Sequence, residues 1–467
     1  MIIAVVGSGG KTTRIHALAA RYRAEGKRVL VTTTTHMRVE PDTLLGDDAA
    51  AIGARLDRDG FCMAGRPGPE GKLCALSPET FASAAAKADV TLVEADGSRG
   101  LPVKCPNDGE PVIPPGTDRI EVVVGLSALG QPWEQVSHRP ERVRRCLDLA
   151  AGERLTPAHL QRLVRLAYLE PLRARFPAAA VSVCPGQVNS LYEKAVAAFL
   201  REERDVSVLD PAWFRGAPPL VICGGGHVSR QLCAVAGLLD FPITVIDDRP
   251  EFARSEQFPA ARAVLCRDFG DVAAAFPAAP NAFYVIVTRG HAADRICLHA
   301  ALERESAYVG MIGSRGKVAA TLAALEAAGV PREKLDAVHA PIGLDIGAQT
   351  PAEIAVSIAA QLIAVRSRTI HGSLPAELEA AREDGVLCVI TGKRGSAPRG
   401  VGSMMLVTDG GCLGTIGGGA IEAAAIRKAR TVTQICRERF DLSAAAGGEL
   451  GMICGGSNEV LFVPIRT

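Results

Sequence analysis

The sequence predicts an α/β protein in three parts: an N-terminal nucleotide-binding unit, a central doubly wound parallel sheet and a small C-terminal α/β domain. Three observations predict it. Twice an apolar strand runs into glycines and then into a helix, at "MIIAVVGSGGKTTRIHALAARY" and at "PLVICGGGHVSRQL". Further short apolar runs end in polar or glycine-rich loops, as parallel strands alternating with helices do. The last segment, from about residue 380, is dense in glycine and carries a hairpin signal.

Bulk properties are compatible with this. The 467 residues suffice for two to four domains, each with its own core. Lys plus Arg number 52 and Asp plus Glu 51, so no net field draws in nucleic acid or an anionic membrane. No apolar run reaches bilayer length and no basic region precedes the first apolar stretch, so a cytoplasmic protein is expected. The 13 cysteines are scattered without C-x-x-C, which argues against a zinc finger or disulfide framework. No regular repeat is visible.

In the first unit, residues 1–205, Ile2 to Val6 reads as a buried strand and Arg14 to Tyr22 as a helix. Gly7, Gly9 and Gly10 let the backbone approach a ligand closely. The helix start offers N–H groups to an anion, and Lys11, Thr12 and Thr13 add a charge and two hydroxyls. The spacing G-x-x-G-K-T is shorter than the usual G-x-x-x-x-G-K-[ST], because position 5 is Val5. It resembles the loop of Mur-type peptide ligases. "KRVLVTTTTH" is a strand whose threonines and His36 end at the same edge. "ADVTLVEADGSRG" is another, ending in Glu94 and Asp96, candidate catalytic groups. With Thr12, Asp96 is a candidate ligand for Mg²⁺ on ATP or GTP. Arg99 and Lys104 follow as candidate anion contacts, and Asn189 of "CPGQVNS" as a base-reading residue. The motifs "VGSGGKTT", "VLVTTTTH" and "VEADGSRGLPVKCPNDGEPVIP" resemble the YqeC family, which is associated with selenium-dependent molybdenum hydroxylases.

"REERD" and "DPAWFRGAPP", with Pro211, Pro218 and Pro219, mark a boundary before the second unit, residues 218–366. Here Gly224, Gly225 and Gly226 lead into a helix from His227, and Asp247 ends the next strand about 20 residues on. This is a relaxed dinucleotide fingerprint with Ser229 in place of the third glycine. Further strand ends supply Arg289 and His291, then Gly313, Ser314, Arg315 and Lys317. In an open parallel sheet these loops share one edge, which suits a phosphate-bearing ligand. "TPAE" at 350–353 is a helix-capping box.

The third unit, residues 380–467, contains the hairpin "SMMLVTDGGCLGTI". "GGGAIEAAAIRKAR" takes Gly417, Gly418 and Gly419 into a helix with Glu422 in its first turn. Ser396 and Arg399 lie in another glycine-rich loop. "MICGGSNEV" sets Cys454 beside Gly455, where a ligand contact and a buried structural thiol are both open readings.

The second and third units resemble the XdhC/CoxI family, accessory proteins of xanthine dehydrogenase and related molybdenum hydroxylases. The resemblance rests on "GGGHVSRQL", "VIDDRPEFA", "VTRGHAAD", "YVGMIGSRGK" and "HAPIGLDIGAQTPAEIAVSIAAQLIA". In the small domain it rests on "GSAPRGVGSMMLVTDGG", "GTIGGGAIEAA" and "GMICGGSNEV". That family places its small domain first; the order here is reversed, as in a circular permutation. The resemblance implies a Rossmann-like central domain and a maturation role: binding molybdenum cofactor (molybdopterin or its cytidine dinucleotide form), assisting its sulfur or selenium modification, and delivering it. The implied partners are an apo molybdenum hydroxylase and a sulfur- or selenium-donating enzyme. Self-association into a homo-oligomer is compatible. The pterin is expected in a cleft between the second and third units, with its phosphate toward Arg315 or Lys317 and its metal end toward Cys454. An NAD(P)-dependent oxidoreductase and a Mur-like ATP-dependent ligase are the alternatives.

Overall fold

The computed structural model describes residues 1–369, 374–395, 399–441 and 456–466. Ser396, Cys454 and Gly455 of the predicted sites lie outside the described residues. Among the described residues, no helix is long and apolar enough to cross a membrane.

The first sheet has a parallel core in the spatial order Ala180–Gly186, Arg119–Gly125, Ile2–Gly7, Val90–Glu94, Val29–Thr33, Phe61–Pro67. Its central strands are almost wholly buried, as parallel strands covered on both faces must be. The helix after the glycine loop runs Lys11–Ala24 and buries Ile15, Leu18, Ala19 and Tyr22. It starts three residues before the predicted Arg14, because Gly10, at φ 131°, already serves as its N-cap. Beyond Phe61–Pro67 the sheet turns antiparallel through Lys72–Cys74 and His36–Arg38.

The second sheet is parallel throughout, in the order Ala263–Cys266, Ile243–Asp247, Leu220–Cys223, Phe283–Ile286, Tyr308–Met311. That is the 3-2-1-4-5 order of a Rossmann-like sheet, with separate apolar cores on its two faces. Helix Pro351–Thr369 packs beside helix His227–Gly237 on one of them.

The third sheet is antiparallel, in the order Gly411–Gly414, Met404–Thr408, Gly385–Arg394, Ser457–Ile465, Cys436–Asp441. Alternation divides its residues between two cores. Cys388, Ile390, Met405, Val407 and Phe462 face helix Gly419–Ala429. Leu387, Val389, Met404, Leu406, Leu461 and Val463 instead join the core of the first unit. The contact element there is helix Leu191–Arg201, in which Leu191 and every residue from Lys194 to Leu200 is buried. Polar ties fix the join. Lys194 Nζ donates to Arg382 O at 2.9 Å, Arg201 to Arg466 O at 3.0 Å, and Ile435 N to the Glu202 carboxylate at 3.0 Å. One apolar face of the third sheet is thus covered by its own helix and the other by the first unit.

The proline-rich stretch between the first two units is itself packed: Val206, Leu209, Trp213 and Phe214 belong to the first core. The chain then enters the Rossmann-like unit beside the point where it leaves. Leu374 N donates to Arg215 O at 2.8 Å, and Gly216 forms a parallel bridge with Leu374.

Phe199 is buried on the docking helix and belongs to the core that the first unit shares with the third sheet. Replacing it with alanine is expected to destabilise the protein by about 3–5 kcal/mol. In chemical denaturation the first and third sheets should be lost together; separate transitions would contradict the shared core.

Candidate functional site

The glycine loop joins Ile2–Gly7 to helix Lys11–Ala24. Gly7, Gly9 and Gly10 all have positive φ, at 90°, 79° and 131°. A Cβ on Gly7 would collide with Val123 O, and one on Gly9 with Gly125, so at both positions glycine is required by packing as well as by conformation. Gly186, at the head of the "CPGQVNS" loop, closes on Gly9 from the other side. Asn189 of that loop donates to Gln187 O at 3.3 Å and does not line the cleft.

Lys11 is buried, and its ammonium donates to Gly7 O at 2.9 Å and Ser98 Oγ at 3.1 Å. Glu94 Oε1 lies 3.9 Å away. Burial lowers the Lys11 pKa, opposed by Glu94 and Glu110. Burial likewise raises that of Glu94, opposed by Lys11 and by the Thr12 hydroxyl. The two groups are each other's partial counter-charge. Thr12 Oγ1 donates to Glu94 Oε2 at 3.4 Å. Adjacent oxygens around one octahedral Mg²⁺ lie about 2.9 Å apart, so these two would have to close by roughly 0.5 Å to share an ion. Among the described residues no group of three or more His, Cys, Asp and Glu side chains is arranged to hold a metal ion. An ion held here would need its remaining ligands from phosphate and water.

Asp96 departs from its predicted role as Mg²⁺ ligand. It is fully buried, and both carboxylate oxygens are taken. One accepts from the Lys104 ammonium. The other accepts from Gly7 N at 3.2 Å and from the Tyr168 hydroxyl at 3.2 Å. It locks the start of the glycine loop. Lys104, read as an anion contact, is the other half of that lock: it also donates to Gly97 O at 2.7 Å and pairs with Glu110 at 2.8 Å. Glu110 in turn receives a two-pronged contact from Arg139, at 2.6 and 3.0 Å.

The loop opens into a cleft of about 1290 Å³. Lys11, Thr12, Thr13, Thr34, Thr35, His36 and Glu94 line it, with Ser98, Arg99, Glu110, His138 and Arg139. The antiparallel extension adds Arg38, Arg66 and Lys72. Sequence reasoning missed Ser98 and Glu110, which lie inside a quoted motif but carry no chemical signal of their own there, and Arg38, Arg66, Lys72, His138 and Arg139, which lie outside every motif.

In the Rossmann-like unit Gly224 has φ 109°, and a Cβ there would lie 2.5 Å from Val287 O; Gly225 backs onto Phe252 O. Asp247 accepts from Gly225 N at 2.7 Å and from the Arg249 guanidinium at 2.9 and 3.0 Å. Burial opposes its ionisation, but these donors win and lower its pKa. Arg249 lies 3.7 Å over the Phe252 ring, so the carboxylate that would meet a ribose is already engaged. Ser229 is buried with its hydroxyl unpartnered. Lys317 does not present a free charge: it pairs with fully buried Asp294, whose other oxygen accepts from Thr288 Oγ1 at 2.6 Å. The exposed basic residues at this edge are His227, Arg289, His291 and Arg315, none of them in an ion pair among the described residues. Gly313 precedes Ser314, which caps the helix by accepting from Lys317 N at 3.3 Å. Arg315 borders a separate hollow of about 350 Å³ facing Ala340 and Pro341.

In the third unit Gly417, Gly418 and Gly419 have φ of 126°, 70° and 64°. Glu422 folds their turn by accepting from the Thr415 hydroxyl and from Ile416 N and Gly418 N, both at 3.1 Å. Its role is therefore internal to the turn. Arg399 is exposed.

This chain is a multidomain α/β protein pairing a parallel sheet that carries a glycine-loop cleft with a Rossmann-like sheet and a small antiparallel one. Residues 3–141 match the family described as YqeC protein, residues 220–362 the XdhC Rossmann domain, and residues 378–441 the XdhC and CoxI family. It joins a YqeC domain to the two XdhC-type domains, with the Rossmann domain first. It is similar to YqeC of Escherichia coli K12, at 38% identity over 33% of this chain and 62% of that protein. It is also similar to YqeB of the same strain, at 37% identity over 33% of this chain and 28% of that one. A Bacillus subtilis 168 protein described as a probable xanthine dehydrogenase component is 27% identical over 32% of this chain and 44% of its own. The chain thus spans less than two thirds of each of these relatives. A crystal structure described as a xanthine dehydrogenase from Bacillus halodurans is 32% identical, over 33% of this chain and 44% of that chain, with a TM-score of 0.30.

Two outcomes follow from the Asp96 lock. Asp96→Ala leaves the Lys104 ammonium buried without its closest partner, and should cost about 3–5 kcal/mol of stability in urea denaturation, with or without Mg²⁺. Glu110 is held down to about 2, against the pull of burial, by Arg139 and Lys104. A carboxylate depressed in the fold contributes stability that is present above its ordinary value and is lost as pH falls. Thermal melts should therefore drop between pH 4.5 and about 2, and Glu110→Gln should flatten that drop.

Proposed function

We propose that this chain is an accessory factor for a molybdenum hydroxylase, binding a nucleoside triphosphate with Mg²⁺ in its first unit and molybdenum cofactor in its XdhC-type part. The observation that carries the nucleotide reading is the meeting of the glycine loop, Lys11, Thr12 and Glu94 at the carboxyl edge of a parallel sheet. Backbone N–H groups and Lys11 would hold phosphate, and Thr12 with Glu94 would hold the ion. Hydrolysis would draw on Glu94 rather than on the buried Asp96.

The accessory role is supported by the XdhC-type matches over both later units. The Rossmann-like edge fits a ligand with an anionic tail: close-packed glycines lie beside exposed His227, Arg289, His291 and Arg315. When bound, molybdenum cofactor supplies the metal–dithiolene centre on which a hydroxylase depends. The protein's own part is to bind the tail, orient the pterin and shield it until transfer. The client's cofactor would carry sulfur or selenium, and Cys454 is the residue proposed to face it. NAD(P) is disfavoured because Asp247 is already satisfied by Arg249 and Gly225.

Calorimetric titration with ATP and GTP checks the first half. Lys11→Ala should weaken binding by about tenfold or more, since charge-assisted hydrogen bonds contribute roughly 1.5–3 kcal/mol. Glu94→Gln should remove the Mg²⁺ dependence while leaving the fold intact. Equal nucleotide affinity in wild type and Lys11→Ala would end the phosphate assignment. For the second half, copurifying small molecules identified by mass spectrometry should include a pterin.

A further inference from the structure

The cleft beside the glycine loop is larger than one nucleotide needs, and its far wall has a chemistry of its own. Ligand pockets commonly measure about 300–1,000 Å³, and this one reaches about 1290 Å³. The far wall is the antiparallel extension of the first sheet. There His36 lies opposite Cys74, Arg38 opposite Lys72, and Arg66 opposite Cys74. Met37 and Leu73 alternate with them and are buried in the apolar core behind the wall, although Met37 also borders the cleft. Strand alternation therefore puts His36, Arg38, Arg66, Lys72 and Cys74 on one face, and all five line the cleft.

That face is built against its own electrostatics. Arg38 and Lys72 are a directly opposed cross-strand pair of like charge, which is unfavourable unless an anion is shared. Lys72 is relieved by Glu70 at 2.7 Å. Among the described residues Arg38, Arg66 and Arg99 have no ion-pair partner. Arg66 donates to Ala75 O at 2.6 Å, which fixes its position, with Asp47 acting on it only from beyond ion-pair distance, as Glu70 acts on Arg99. Arg99 reaches the cleft from the loop after Asp96 with a backbone φ of 49°, an uncommon conformation for a residue with a side chain. On the same side, burial and the charges of Arg139, Lys104 and Arg99 all lower the pKa of His138, as a positive local field would. The remaining basic residues of the cleft are already used: Lys11 faces Glu94 and Arg139 is clamped by Glu110.

We infer that Arg38, Arg66 and Arg99 form a second subsite, for a small phosphorylated co-substrate held beside the nucleotide. Arginine suits this ligand because its planar fork binds phosphate oxygens in pairs. The inference rests on the nucleotide reading of the glycine loop, and it makes the first unit a two-substrate site instead of a simple nucleotide sensor.

The test uses the full chain saturated with a non-hydrolysable ATP analogue and excess Mg²⁺, then titrated with inorganic pyrophosphate in a calorimeter. Wild type should take up one further equivalent. Arg38→Gln with Arg66→Gln should weaken that second binding at least about tenfold and leave analogue affinity within about twofold. Lys11→Ala should do the reverse, losing the analogue and keeping pyrophosphate. Saturated wild type that takes up no pyrophosphate, or binding that ignores the arginine substitutions, would overturn the subsite. So would uptake of citrate in preference to pyrophosphate, since the ligand class would then be wrong. If the analogue fails to bind wild type while pyrophosphate binds in an arginine-dependent way, the nucleotide reading falls and the polyanion wall stands.

Discussion

The first unit depends on one buried ion pair, Asp96 with Lys104. An isolated carboxylate in an apolar interior is prohibitively costly, and so is an isolated ammonium, but each removes the other's penalty when further hydrogen bonds complete the set. Here the set is complete. Gly7 N and the Tyr168 hydroxyl meet Asp96, and Gly97 O and Glu110 meet Lys104. The network ties the glycine loop, the end of the Val90–Glu94 strand, the following loop and the helical segment bearing Tyr168 into one piece. A loop of glycines would otherwise have many conformations to choose from. This pair selects one, in which the loop borders the cleft.

The division of labour among acidic residues follows from depth. Asp96, Asp247, Asp294 and Glu422 sit at the ends of strands or the starts of helices, where an acidic residue resembles a ligand for metal or ribose. Each is turned inward to organise a loop: Asp96 onto Gly7, Asp247 onto Gly225, Asp294 onto Thr288 and Lys317, Glu422 onto Ile416 and Gly418. Glu94 is the exception among them. It keeps an edge on the cleft and shares it with Thr12 and Lys11. Glycine loops need a fixed anchor, and a carboxylate accepting backbone N–H bonds is a strong one.

Much of this is legible in the sequence, and the failures have physical reasons. Glycines followed by Lys11 and Thr12 announce a close-approach loop, and the apolar runs announce parallel strands. Nothing local distinguishes an Asp96 aimed at an ion from one aimed at a backbone N–H. The difference is made by Lys104, whose arrival is decided by a loop path that no periodicity encodes. Lys317 misleads for the same reason, its partner Asp294 lying on a different helix. The far wall of arginines escapes a sequence reading because it forms only when His36–Arg38 pairs with Lys72–Cys74, a long-range register. The docking helix Leu191–Arg201 is disguised in the same way: Glu193, Lys194 and Arg201 give it a polar sector, and Lys194 is nevertheless buried because its ammonium reaches Arg382 O, far away along the chain.

The paired backbone at Arg215, Gly216 and Leu374 has a wider consequence. The chain departs for the Rossmann-like unit and returns at nearly the same spot, while the sheets before and after it share a single core. That unit is topologically a cassette hung from a body whose two halves are far apart in sequence. Excision at the crossing would cut no strand of the body, because Arg215 and Leu374 already lie side by side. A Rossmann-like unit attached in this way can be exchanged as a whole while the body that carries the glycine-loop cleft keeps every strand paired.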